Sequence, residues 1–273
     1  ELPSDERVTS IHESFVPAVG TDNLPRDIEP ALKLDHVITR QIREKCFGGW
    51  PAVEENTDSK LITETSTGNT SVQVIDFNSQ NPYRLRIFLV GPKNKELHSM
   101  TIRVLDDSQW PITLAGLATV IPEQTFGVTA NANEWKAIAD KAKTETIAYV
   151  TPRGVGPTEW SAEPRKRTQI RRRFMQFGQT AAGMQTYDIL RATIALQDFL
   201  NTPDLSFSLD ANAEGSSWAL FASLFIKNVK SLTLSDLSPR NRDAPDLLNI
   251  SRLAEPPHLV LMHAARGHEL LIR

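Results

Sequence analysis

The chain has 273 residues, 40% hydrophobic and 23% charged, with a formal net charge of -3, which suits one large or two small globular domains and leaves no basic surplus for nucleic acid or a membrane surface. Its single cysteine, Cys46, excludes an internal disulfide and a cysteine-built metal cage and reads as a buried structural thiol. No apolar run approaches the roughly 18 residues that span a bilayer, and neither a cofactor nor a metal is expected.

Residues 1–28 are polar, contain proline and lack periodicity, so they read as an arm or linker ahead of one domain at 29–273. The numbering opens at Glu1 without a Met, which suggests a processed chain or a piece of a longer one, and favours a secreted or periplasmic protein. From Ile28 to Phe47, Leu32, Leu34, Val37, Ile38, Ile42 and Cys46 recur near helical spacing, and Gly48-Gly49 ends that helix. Ser59–Thr67 and Ser71–Phe77 alternate as strands around a Thr67-Gly68-Asn69 turn. Tyr83–Val90 is a third strand after a turn at Asn78–Pro82. Met100–Leu105 predicts a strand, Asn131–Lys143 a helix, and Glu145–Val150 a strand that runs into a loop rich in Gly and Pro. Ala181–Leu200 predicts a long helix, Leu205–Leu209 a strand, and Ser217–Phe225 a second apolar helix. Val229–Leu234, Pro257–Ala265 and Glu269–Ile272 follow as strand, helix and strand.

The first strands are joined by turns too short for a crossover, so they pair antiparallel. The later ones alternate with helices, so they pair parallel. The fold class is α/β, a doubly wound, mostly parallel sheet with antiparallel N-terminal strands. No internal repeat or low-complexity segment interrupts it.

The segment from Ser206 to Phe225 carries the chemistry argument. It reads as strand, tight turn and helix, and its five turn positions are Ala211, Asn212, Ala213, Glu214 and Gly215. This arrangement resembles the nucleophile elbow of α/β-hydrolases, whose turn has the form G-x-S-x-G. Ala211 takes the first Gly position, Gly215 the last, and Ala213 the nucleophile position. A methyl group cannot attack a carbonyl, so Ala213 excludes covalent catalysis from that position. A different register would instead present Ser208, Ser216 or Ser217, although the last two read more simply as helix caps. His263 and His268 precede the final strand, whereas the fold's base follows a later one, so they read as helix-end histidines and serve only as fallback bases.

Two further segments extend the likeness. One is Thr146 to Trp160, a strand ending in a Pro/Gly-rich loop. The other is Ile170 to Ala192, where Arg172, Arg173, Gly178, Gly183, Met184, Asp188, Arg191 and Ala192 stand in one spaced pattern. Together with the elbow these resemble the acetyl-xylan-esterase-like branch of the α/β-hydrolases over about residues 85–273. Phe47 to Pro51 extends the match weakly upstream, and Ala264-Ala265-Arg266-Gly267 degrades an A-P-R-P entry to the last strand. Proteins of this branch can carry two hydrolase-like halves, and the resemblance implies that this chain is the second, degenerate half. It further implies a hydrolase-like partner domain or subunit and a carbohydrate ester as ligand. The alternative is an active carbohydrate or carboxyl esterase whose triad lies in another register or is completed by another chain.

Arg153 stands on the loop after Val150, where it and Arg172 and Arg173 could bind a carboxylate or phosphate, or hold the loops by buried ion pairing. Asp188 and Arg191 are spaced to pair along one helix. Trp110 and Trp160, on loops at the carboxyl ends of strands, could stack on a sugar or pack against the core. Arg165 to Arg167 and Arg171 to Arg173 form basic runs without interleaved aromatics, which disfavours nucleic acid.

Overall fold

Eight strands build one sheet. In chain order they are β1 (Lys60–Thr67), β2 (Thr70–Gln80), β3 (Tyr83–Pro92), β4 (Ser99–Val104), β5 (Ile147–Val150), β6 (Ser206–Asn212), β7 (Val229–Ser235) and β8 (Glu269–Ile272). Their spatial order is β1-β2-β3-β5-β4-β6-β7-β8. The computed structural model describes residues 3, 4, 7, 19–51, 56–93 and 96–273, so most of the expected arm at 1–28 lies outside the described residues. Val19 already touches the body, its N–H donating to the Ser251 carbonyl at 2.8 Å.

The pairing follows the lengths of the connections. The short turns between β1, β2 and β3 give antiparallel pairs. Longer connections give parallel pairs of β4 with β5 and β6, of β6 with β7, and of β7 with β8. β5 runs antiparallel to β3 and joins the two regions. The chain leaves β4, pairs once on the β5 side, then returns to pair on the β6 side. The carboxyl ends of β4 and β6 thus form a topological switch point, the crevice where open α/β sheets hold their ligands.

Seven α-helices cover the sheet among the described residues: α1 (Ile28–Lys45), α2 (Trp110–Leu117), α3 (Ala132–Lys141), α4 (Pro164–Gln176), α5 (Ala181–Leu200), α6 (Glu214–Ala222) and α7 (Pro256–Ala265). Packing of α5 on α6 and of α1 on α7 encloses the larger core. At its centre Phe47 stacks on Trp50 at 4.4 Å, and Phe221 and Phe225 meet Phe47 edge-on. The Trp50 indole donates to the Gly183 carbonyl at 2.8 Å, which pins the Phe47 to Pro51 segment to the start of α5. Cys46 is buried among these residues, and burial pushes its thiol up to about 12, so it is the inert structural thiol expected.

Two helices escape the sequence reading. α2 lacks a polar face, since Thr113 is the one polar residue among its eight (Trp-Pro-Ile-Thr-Leu-Ala-Gly-Leu), so periodicity gives no signal. α4 is dominated by arginines and has no buried residue. A third difference is the start of α6, at Glu214 rather than Ser217.

Candidate functional site

β6 ends at Asn212 and α6 begins at Glu214, so Ala213 alone makes the corner. Its backbone sits at φ 46° and ψ -121°, a region that L-residues adopt only under constraint. Three contacts hold it there. The Ala213 N–H donates to the Ser235 carbonyl at 3.0 Å, its carbonyl accepts from the Ser216 N–H at 3.1 Å, and Gly215 lies against Val104, where a Cβ would stand 3.4 Å from the carbonyl oxygen. The bend of a nucleophile elbow is therefore built at the position where the sequence places it, with a methyl group at its apex.

Ala213 lines a cavity of about 350 Å³ at the switch point, between the loop after β4, the loop after β5, and α4, α5 and α6. Asp106 shapes the first loop, its Oδ1 accepting from the Ser108 N–H at 2.9 Å, the Ser108 hydroxyl at 2.6 Å and the Gln109 N–H at 3.0 Å. Helix α4 forms a wall pinned by ion pairs of Arg167 with Asp107 and of Arg171 with Asp246. Trp160 lines the cavity and packs on Phe174 of α4 at 5.5 Å between ring centroids.

Two cavity groups remain uncommitted. Glu214 follows Ala213 directly, and its carboxyl makes no hydrogen bond or ion pair among the described residues. The residue is exposed, and partial desolvation at the cavity raises its carboxyl above the usual carboxylate range; Arg171 opposes this, and Asp107 and Asp106 reinforce it. Trp218, four residues further along α6, is 2% exposed, and its indole nitrogen, closed off from solvent, has no partner among the described residues.

The fallback nucleophiles stand elsewhere. Ser216 is fully buried and its hydroxyl donates to the Ser235 carbonyl at 2.7 Å, so it ties α6 to β7 instead of capping the helix. Ser217 is buried one position further along. Ser208 lies on the opposite face of the sheet, accepting from the Ser231 hydroxyl at 2.8 Å. It lines a polar groove of about 450 Å³ with Thr101, Arg103, Asp210 and Thr233. Neither fallback histidine lines the elbow cavity. His263 is fully buried with Nε2 3.0 Å from the Ser223 hydroxyl, and its Nδ1 is 3.0 Å from His268 Nδ1.

Arg153 is 2% exposed. It donates through Nε and Nη2 to Asp188 at 2.9 and 2.7 Å and through Nη1 to Gln80 at 3.1 Å, and its guanidinium covers the Tyr83 ring. Asp188 thus binds across the fold to Arg153, and also accepts from Ser79 at 2.5 Å. Arg191, its expected partner along the helix, donates to the Ser79 carbonyl at 3.1 Å. Arg172 and Arg173 are exposed on α4. Trp110 is buried against Phe88 and the Gly156 backbone, so of the two tryptophans singled out in the sequence only Trp160 reaches the cavity. Neither Glu214 nor Trp218 is singled out in the sequence, where an expected helix start at Ser217 leaves Glu214 as a turn position, off the helix that carries Trp218. A start at the elbow itself places them on one helix face at i and i+4.

Among the described residues no cluster of His, Cys, Asp or Glu is arranged to hold a metal, and no helix is long and apolar enough to cross a membrane. No protein-family model and no curated protein matches the sequence. Solved structures do match. A protein from Bacteroides fragilis assigned as an acetyl xylan esterase superposes over 100% of this chain and 76% of its own, with a TM-score of 0.61 at 10% identity. A glucuronoyl esterase from Solibacter usitatus matches 87% of this chain and 72% of its own, with a TM-score of 0.55 at 12% identity. The methylesterase BT1017 matches 91% of this chain but 52% of its own, with a TM-score of 0.57 at 10% identity. At these identities the likeness establishes the fold alone, a mostly parallel α/β-hydrolase-like sheet.

Proposed function

We propose that this chain is a catalytically inert, esterase-related module that keeps the hydrolase scaffold for assembly or ligand binding. The observation that carries the reading is the elbow: Ala213 holds the strained corner, at φ 46° and ψ -121°, and offers no nucleophile. The buried site of His263 supports it, because a base hydrogen-bonded to Ser223 is committed at the far end of α6.

The partner in this reading is a hydrolase-like domain or a second subunit that covers β8, one of the two edges of the sheet. Leu271 and Ile272 on β8 are 44% and 46% exposed, and an apolar edge strand left open invites pairing with another chain.

Hydrolysis of p-nitrophenyl acetate by the purified chain, alone and mixed with a candidate active esterase half, tests the reading. The chain alone is expected to show only the background rate, and turnover that scales with its concentration would overturn it.

A further inference from the structure

β8 ends the sheet with backbone groups left over. The Arg273 N–H donates to the Leu234 carbonyl and its carbonyl accepts from the Asp236 N–H, both at 3.0 Å, so Arg273 turns its backbone toward β7. Along a paired strand these groups point alternately to one side and the other. Glu269 and Leu271 therefore also face β7, while the N–H and C=O of Leu270 and Ile272 point away from it. β8 is last in the spatial order, and these outward groups meet no partner among the described residues. Side chains alternate as well: Glu269, Leu271 and Arg273 share one face, and Leu270 and Ile272 the other. Glu269 and Arg273 are exposed, and neither side chain makes a hydrogen bond or ion pair among the described residues. Read against itself in the opposite direction, Glu-Leu-Leu-Ile-Arg is self-complementary, with acid against base at the ends and apolar against apolar between. Helix α7, which packs against β8, carries no Asp, Glu, Lys or Arg. Pro257, Val260, Leu261 and Ala264 recur along it at helical spacing with part of their surface open, so the apolar surface does not stop at the strand.

We propose that β8 pairs antiparallel with β8 of a second copy of this chain, across a two-fold axis at Leu271, so that the two sheets become one. The proposal rests on the reading of β8 as an edge that a partner covers, and it commits that partner to an identical chain. Three features fix the register. Leu270 falls opposite Ile272 of the second copy, and both present outward backbone groups, as a hydrogen-bonded antiparallel pair requires. Leu271 falls opposite its own copy as the closer, non-hydrogen-bonded pair, which suits two apolar side chains. Glu269 falls opposite Arg273 of the second copy, again a close pair, and the two-fold repeats that ion pair at the other end. An axis one residue earlier, at Leu270, would set Glu269 against Leu271 and leave its charge uncompensated.

Sedimentation velocity of the whole chain, from about 5 to about 500 µM, tests this. A monomer–dimer equilibrium is expected with a dissociation constant of about 10–300 µM, because so short an edge buries less than the roughly 1,200 Å² at which stable interfaces begin. Leu271→Lys, which brings two ammonium groups together at the axis, is expected to abolish the dimer. Glu269→Arg and Arg273→Glu each oppose like charges and are each expected to weaken dimerisation at least about fivefold. The double variant is expected to return to within about twofold of the wild-type constant, because both cross-strand pairs are again opposite in sign. Thermal melts establish that each variant is folded, and the charge reversals, which alter only exposed side chains, carry the test if Leu271→Lys does not fold. A chain that stays monomeric at about 500 µM overturns the proposal. So does a dimer that survives Leu271→Lys, one indifferent to the single reversals, or losses that add in the double variant. A monomer with background hydrolysis of p-nitrophenyl acetate overturns the pairing and leaves the inert reading standing, whereas a dimer with turnover removes that reading and keeps the pairing.

Discussion

His263 lies 3.0 Å from the Ser223 hydroxyl at the C-terminal end of α6, while Ala213 occupies the N-terminal end. Nine helical residues separate them, about 15 Å at 1.5 Å per residue. Restoring a hydroxyl at the elbow therefore does not restore a base. Ala213→Ser is expected to leave p-nitrophenyl acetate hydrolysis at the background rate. A measurable gain would show that some other group near the elbow takes the proton.

The strained corner has a stability consequence. Ala213 holds φ 46° and ψ -121°, which costs an L-residue about 1–3 kcal/mol, and glycine removes most of that cost while adding back some chain entropy. Ala213→Gly is expected to stabilise the protein by about 1 kcal/mol and raise its melting temperature by about 2 °C. Ala213→Val, β-branched in the same conformation, is expected to lower it.

Burial, together with His268 and Arg266, pulls the His263 imidazole down to about 3, and burial lowers His268 as well. In the unfolded chain both titrate near 6.5. Between about pH 6.5 and 3 the unfolded state therefore binds a proton that folded His263 refuses. The stability from neutral His263 is complete above pH 6.5 and is lost as pH falls, by about 1.4 kcal/mol per pH unit. Urea unfolding at pH 7 and pH 5 is expected to show a smaller loss in His263→Gln than in the wild-type chain. Equal losses would mean that His263 is protonated in the folded state.

Arg153 and Asp188 are 2% and 0% exposed and joined at 2.7 Å, and Asp188 Oδ2 also accepts from the Arg153 backbone N–H at 2.8 Å. Removing one member of such a pair leaves a buried charge and typically costs about 3–5 kcal/mol. Asp188→Ala and Arg153→Met are each expected to destabilise in that range, and the double variant by less than their sum. Additive losses in denaturant unfolding would show that the two side chains do not act as a unit.

The sheet was legible in the sequence because its strands alternate cleanly and its turns carry Gly, Asn and Pro. The elbow was legible for a local reason: Ala211, Ala213 and Gly215 are small residues between an apolar strand and an apolar helix. Where tertiary contacts decide the outcome, the sequence was silent. α4 carries an arginine-rich stretch whose position depends on ion pairs with Asp107 and Asp246, each at least 60 residues away in the chain. Asp188 binds Arg153, 35 residues distant, because both side chains are buried and the guanidinium meets the carboxylate with two parallel donors.

No serine of this protein, at the elbow or in the groove on the other face of the sheet, is expected to act as an esterase nucleophile. Intact-mass spectrometry after incubation with a fluorophosphonate probe tests it most directly. An unchanged mass is expected for the folded wild-type chain. A single adduct mapped to Ser208, Ser216 or Ser217 would contradict it.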